Sequence, residues 1–212
     1  MRMRPKKHRE ERISAVEDYF AHFSDEKLDP DATFENRNPR TVYEFGCGKG
    51  AFCTQLALRE PQTDIIAIEK VRDVVLMAME KAASHGLSNL RFANFDLERV
   101  AEILPPRSAD AIYINFCDPW PRKRHAKRRL TSPLFLERYK GILKEGARIY
   151  FKTDNALLFD YSLGTFAEAG YTLYNVCRDL HADPLGENNI ETEYEKNFSA
   201  KGFKINYLEA SL

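Results

Sequence analysis

From Thr41 onward the chain alternates between short runs of β-branched and aromatic residues and longer stretches with helical spacing. No other feature restricts the fold as much. The spacing predicts strands at 41–44, 65–68, 90–93, 111–115, 148–152, 172–177 and 203–208. Helical patterns at 52–59, 73–85, 97–104, 134–143 and 156–169 lie between the earlier ones, and Gly86 and Gly170 stand where helices stop. Strands joined by single helices of this length lie parallel, because a parallel connection needs a long crossover. Between the last two predicted strands, 178–202 holds no full crossover helix, which predicts an antiparallel hairpin at the sheet edge. The expected class is α/β: a mostly parallel seven-stranded sheet with helices on both faces.

The 212 residues suffice for one well-buried domain and are short for two. A basic arm at 1–12 and a helix over 11–23 precede the alternation, so the chain divides into an accessory segment, 1–36, and a main domain, 37–212. Hydrophobic residues at 43% and charged residues at 30% place the chain in the soluble globular class. No apolar run approaches the ~20 residues of a membrane span. The stretch Met1 to Arg9 lacks the apolar core of a signal peptide, so a cytoplasmic protein with no membrane partner is expected. Cysteines at 47, 53, 117 and 177 form no C-x-x-C pair and no zinc-finger spacing with histidine, which predicts neither a metal nor a disulfide.

The first predicted strand runs into Tyr43-Glu44-Phe45-Gly46-Cys47-Gly48-Lys49-Gly50. Glycines let the backbone turn tightly and approach a ligand. The spacing is G-x-G-x-G, not the G-x-G-x-x-G of dinucleotide binders. Glu69 ends the second strand, where a carboxylate can accept from ribose hydroxyls. Asp96 follows the third, where an adenine edge would lie. An acid before a glycine turn and acids after the next two strands resemble the S-adenosylmethionine site of Rossmann-like class I methyltransferases. Such a site holds an adenosine and a sulfonium cation, which carboxylates suit better than a pyrophosphate.

The fourth strand ends in Asp118-Pro119-Trp120-Pro121, and Arg122 to Arg129 then supply six Lys/Arg in eight residues. A turn at the carboxyl end of a central strand is where open α/β sheets hold small-molecule chemistry. A dense basic run is the footprint of a phosphate-rich partner. The net charge is zero, but basic residues gather at 1–12 and 122–129 and acidic ones at 17–35 and 187–195. A neutral protein with separated patches can still steer a polyanion to one face. Few acids lie at helical spacing to pair with the run, so phosphate contact is expected over a solvated helix start. Trp120, the only tryptophan, either stacks on a substrate base or packs inward to stiffen the turn, the second being favoured. His125 reads as a polar loop residue before a catalytic acid. Thr192 and Glu195 have the spacing of a capping box.

With its basic tail, Asp118-Pro119-Trp120-Pro121-Arg122-Lys123-Arg124-His125 followed by Lys127-Arg128-Arg129-Leu130 resembles the bacterial tRNA (guanine-N7)-methyltransferases. Glu44 to Gly50, Lys152-Thr153-Asp154, and Thr192-Glu193-Tyr194-Glu195 with Phe198 and Gly202 match in the family's order. The likeness runs from about Arg37 to Leu212. It implies S-adenosylmethionine as cofactor and 7-methylguanine at position 46 of the tRNA variable loop as product. It implies that Glu44, Gly46, Gly48, Glu69, Asp96 and Asp118 line the cofactor site. It places Arg122, Asp154, Thr192, Glu193, Tyr194 and Glu195 on the substrate, and Lys123, Arg124, Lys127, Arg128 and Arg129 on tRNA phosphates. Arg122 stands where the family often has lysine, which keeps the charge and changes the fork geometry.

Guanine N7 presents a lone pair and no proton, so no general base is required. A carboxylate accepting from N1–H would bind more tightly as the ring becomes cationic. Asp118 or Asp154 can fill this role, with Asp118 favoured. The competing readings are an amino-nitrogen methyltransferase, a dinucleotide-dependent oxidoreductase and a noncatalytic RNA-binding module. The order of the Pro and aromatic residues, the glycine spacing and the intact acid set argue against them in turn. tRNA is the expected partner; no protein partner is required, and monomer and homodimer are both open.

Overall fold

The computed structural model describes residues 8–212, so most of the predicted basic arm lies outside the described residues. Among these no helix is long and apolar enough to cross a membrane. They fall into two compact units, one ending at Pro105 and the other starting at Pro106. Two successive prolines can continue neither a helix nor a strand ladder, which suits a boundary there.

In the first unit, α1 (Arg9–Ser14) leads to a small hairpin of β1 (Phe23–Ser24) and β2 (Lys27–Leu28), then α2 (Pro30–Thr33). Asp25 and Glu26 both take left-handed φ, the geometry that matches the twist of a two-residue hairpin. The expected helix over 11–23 therefore stops early. Val16 leaves helical geometry, and Phe20 bridges to Phe92 while Ala21 N–H donates to the Phe92 carbonyl at 2.8 Å. Pairing with a strand outweighs helical propensity there.

The alternation follows as read: β3 (Arg40–Phe45), α3 (Ala51–Arg59), β4 (Thr63–Ile68), α4 (Arg72–Ser84) and β5 (Leu90–Ala93), in parallel order β5-β4-β3. Every β4 residue is buried, as a sheet covered on both faces demands. Buried Asp64 accepts from the Arg37 guanidinium and from both nitrogens of Asn38, which satisfies its charge. The pattern at 97–104 resolves into a 3-10 turn, Leu97–Arg99, and a short α5 (Val100–Ile103).

The second unit carries β6 (Ala109–Asn115), α6 (Pro133–Ile142), β7 (Leu143–Thr153), α7 (Ala156–Glu168), β8 (Thr172–Cys177), α8 (Glu193–Ser199) and β9 (Asn206–Ser211). Its strand order is β6-β7-β9-β8, with β6 and β7 parallel and β9 antiparallel to both neighbours. The whole sheet is thus mostly parallel and seven-stranded, with the expected antiparallel edge. The last strand starts at Asn206, not at 203, because Phe203 N–H turns back to the Phe198 carbonyl at 3.1 Å.

Gly50 caps α3 with φ +76°, and an added Cβ would sit 2.7 Å from the Ala78 Cβ. Gly46 has φ +79° but open space around its missing Cβ. Gly46→Ala should cost only the left-handed strain, about 1–2 kcal/mol. Gly50→Ala should cost more, since overpacking adds about 1–3 kcal/mol. Urea midpoints of the two variants against the parent measure the difference.

Candidate active site

Along the carboxyl ends of β3, β4 and β5, backbone bonds fix a row of acids. The amides of Gly46 and Cys47 both donate to the Ile68 carbonyl, at 2.9 and 3.0 Å, so the glycine loop is tied to the end of β4. Glu69 follows directly, its N–H donating to the Ala93 carbonyl and its own carbonyl accepting from the Asn94 amide at 2.8 Å. Glu69 Oε1 accepts from Val71 N–H at 2.9 Å, and Asp96 Oδ1 accepts from Glu98 N–H at 3.0 Å. Each carboxylate is thereby oriented through one oxygen. Glu44 is buried in β3, and the Cys53 thiol donates to the Gly50 carbonyl at 3.4 Å. The first unit thus brings together Glu44, Gly46, Gly48, Glu69 and Asp96.

These residues fit S-adenosylmethionine. A Cβ at Gly46 or Gly48 would meet nothing within 4 Å, so the loop backbone is open to a ligand. The donor set is carboxylate, with acceptors for ribose and adenine and negative charge for a sulfonium.

In the second unit, Asp118 lies exposed in the turn after β6. It is bracketed by two bulky residues in left-handed geometry, Phe116 at φ +54° and Trp120 at φ +41°. Such backbone costs about 1–3 kcal/mol per residue and persists only when neighbours enforce it. They do so here. Phe116 N–H donates to the Lys152 carbonyl at 2.9 Å. Arg129 donates to the carbonyls of Pro119 and Trp120, both at 3.0 Å, and lies 4.2 Å from the Tyr161 ring. Arg128 sits 5.0 Å over the Trp120 ring, and His125 meets that ring edge-on at 5.6 Å. Arg128 and Arg129 thus clamp the turn. In the basic run, read as phosphate ligands throughout, Arg122, Lys123, Arg124, Lys127 and Arg128 are exposed and Arg129 is half-buried, and among the described residues none of Arg122, Lys123, Arg124 and Lys127 pairs with a carboxylate. Lys123–Arg128 form a 3-10 helix.

Asp154 stands at the carboxyl end of β7. Asn206 donates to the Thr153 carbonyl at 3.0 Å, and Asn155 caps α7 through Leu158 N–H, so the turn carrying Asp154 is rigid. Tyr194 O–H donates to Asp154 Oδ2 at 3.2 Å. Thr192 and Glu195 form the expected capping box. Glu193 and Tyr194 are exposed, whereas Glu195 is fully buried. Its carboxylate takes Lys152 Nζ at 2.6 Å, His181 Nε2 at 2.9 Å and Asn189 Nδ2 at 2.6 Å. These bonds anchor the segment that carries Tyr194. Burial pushes the Glu195 carboxyl up, but the Lys152 charge and these hydrogen bonds outweigh it and hold it below the usual range. Sequence reading missed Phe116, His181 and Asn189 as parts of the site; one signal was present, the lysine at 152 ending an otherwise buried strand.

Burial pushes the Cys53 thiol well up, and burial with the Asp118 charge pushes Cys117 up to about 12. Neither forms the thiolate that covalent catalysis needs. All four cysteines are free thiols.

A glycine loop and strand-end acids on this sheet define the class I methyltransferase fold. Solved structures agree: an antibiotic-related methyltransferase superposes with TM-score 0.63 at 21% identity, covering 90% of this chain and 96% of that one. The 16S rRNA methyltransferase KamB gives TM-score 0.62 at 20% identity over 90% and 94%. A family model described as "Putative methyltransferase" matches residues 38–208. The tRNA (guanine-N(7)-)-methyltransferase of Lachnoclostridium phytofermentans is 44% identical over 197 residues, 92% of each chain. That of Listeria monocytogenes serotype 4b is 46% identical over 84% of this chain and 82% of its own. The chain belongs to the tRNA (guanine-N(7)-)-methyltransferase family.

Removing one partner of the buried pair leaves the other charge uncompensated, at a cost of about 3–5 kcal/mol. Glu195→Gln should lose this at pH 7. A depressed carboxyl contributes stability above its unfolded pKa and loses it as pH falls through the folded one. The gap between parent and variant should therefore close below pH 4.5, the ordinary value for this group. Denaturant titrations at stepped pH measure it.

Proposed function

We propose that the protein transfers the methyl group of S-adenosylmethionine to N7 of guanine 46 in the tRNA variable loop, giving 7-methylguanosine, in the cytoplasm. Residues 37–212 form the catalytic domain and 1–36 an accessory arm. The observation that carries this reading is the pairing of Asp154 with Tyr194 at the end of β7, on the strand whose Lys152 carbonyl fixes Phe116 and with it the Asp118 turn. It is supported by relatives that bear the corresponding name over most of their length.

S-adenosylmethionine supplies a methyl group already activated on a sulfonium. Glu44, Gly46, Gly48, Glu69, Asp96 and Asp118 hold it. Guanine N7 attacks without losing a proton, and no leaving group requires one, so the chain needs neither general base nor acid. Its work is alignment and exclusion of water, and alignment alone can supply about 7–11 kcal/mol. Asp118 accepts from N1–H and the exocyclic amine, bonds that strengthen as the ring gains charge. Asp154, oriented by Tyr194, serves as the second acceptor. Arg122, Thr192 and Glu193 position the nucleotide. The target base is drawn from its tertiary stack to reach these groups. Lys123, Arg124 and Lys127 take the phosphates, while Arg128 and Arg129 keep the turn in shape.

Labelled S-adenosylmethionine with unmodified tRNA should place label in 7-methylguanosine; label in another nucleoside would overturn the reading. Asp118→Asn should lower kcat roughly 10²–10³-fold, the usual cost of one group matched to transition-state charge. Reversing Lys123, Arg124 and Lys127 to glutamate should weaken tRNA binding and flatten its dependence on log salt by about 0.7–0.9 per lost phosphate contact. A slope equal to the parent's would remove these residues from the interface.

A further inference from the structure

Beyond Asp154 an aromatic ladder continues across the surface of the second unit. Phe116 and Tyr194 have centroids 5.1 Å apart, Tyr194 and Phe198 stack at 4.1 Å and 15°, and Phe198 meets Phe203 edge-on at 5.3 Å. The rings are not core. Tyr194 is 42% exposed and Phe203 51%, and Phe203 leaves the sheet to join the ladder. Water is a poor neighbour for so large an apolar face, and a ring held there by no burial of its own points to a ligand.

Cations alternate with the rings: Tyr194, Lys196, Phe198, Lys201, Phe203, Lys204, with all three lysines exposed. Lys201 Nζ lies 5.1 Å over the Phe198 ring, and Lys204 pairs with Asp179 at 3.2 Å. Stacking surfaces interleaved with cations are how proteins hold unpaired nucleic-acid strands without reading sequence. A protein partner of apolar character would not call for the lysines. The ladder begins at the residue that orients Asp154 and ends at an open ring, so its direction is outward from the reacting base.

We propose that Phe203 is a stacking platform for an unpaired nucleobase adjacent in the RNA to the methylated guanine, with Lys196 and Lys201 on the phosphates that flank that base. The assignment rests on the RNA substrate proposed above. It makes the enzyme a reader of two nucleotides, one by hydrogen bonds and one by its π face.

The test uses the full chain with tRNA, comparing Phe203→Ala, Phe203→Leu and Phe203→Tyr with the parent. Loss of one base–aromatic stack corresponds to roughly 5- to 150-fold in affinity. Phe203→Ala should raise KM for tRNA by that order with kcat and S-adenosylmethionine binding little changed. Phe203→Leu, apolar but without a π face, should resemble Phe203→Ala, and Phe203→Tyr should restore the parent value. A 2-aminopurine placed beside the target guanine should be quenched on binding by the parent and not by Phe203→Ala. An unchanged KM in Phe203→Ala, or full function in Phe203→Leu, would overturn the platform while parent methylation stands. A change confined to the sedimentation mass would assign the ring to a second copy of the chain, and would also overturn it. A parent that makes no 7-methylguanosine would sink the underlying function itself.

Discussion

The buried contact between Lys152 and Glu195 governs the second unit. Two charges removed from water cost several kcal/mol each and are tolerated only when paired and fully hydrogen-bonded. Here the lysine also donates to the Asn189 side chain and the Ile190 carbonyl, and the glutamate also accepts from His181 and Asn189. Three separated points of the 178–202 excursion, at 181, 189–190 and 195, are thereby pulled onto one strand. The capping box of α8 uses the same carboxylate, through Thr192 N–H at 3.4 Å. Tyr194 reaches Asp154, and the ladder stands where it does, because the residue beside Tyr194 is locked below.

The turn after β6 is held differently. Phe116 and Trp120 hold backbone that their side chains disfavour, and the residue between them with the exposed carboxylate is Asp118. The local strain is opposed by bonds from Lys152 on one side and Arg129 on the other. A carboxylate presented this way is held in a preset position, the arrangement the proposed role of Asp118 calls for.

Much of this was legible in the residues. The change of period from two to 3.6 located β5 and the antiparallel edge strand β8 without error, and β3, β4 and β6 within two residues at either end, while β7 begins five residues earlier than expected; the buried parallel strands were legible because they are near-continuous β-branched runs. The glycine loop and strand-end acids were legible because their positions follow from the topology. What was not legible depended on partners distant in sequence. Glu195 reads as a surface residue in a polar helix start until Lys152, 43 positions earlier, is seen against it. Arg129 reads as one cation among six until the two carbonyls it holds are found. Phe20 belongs to a helical pattern until Phe92 pairs with it, and Phe203 belongs to a strand pattern until its amide turns back to Phe198.

The placement of β9 between β7 and β8 bears on how the second unit comes into being. In the sheet β8 pairs with β9 alone, yet the chain makes β8 first and β9 only after the segment 178–205. Its ladder bonds must wait for that long loop to close, and loop closure is met in entropy before any contact rewards it. The edge of the sheet, the buried ion pair and the aromatic surface therefore assemble as one late cooperative step. Synthesis can complete the glycine loop and its acids well before the aromatic surface exists, so a nascent chain acquires the proposed cofactor residues ahead of the proposed substrate residues.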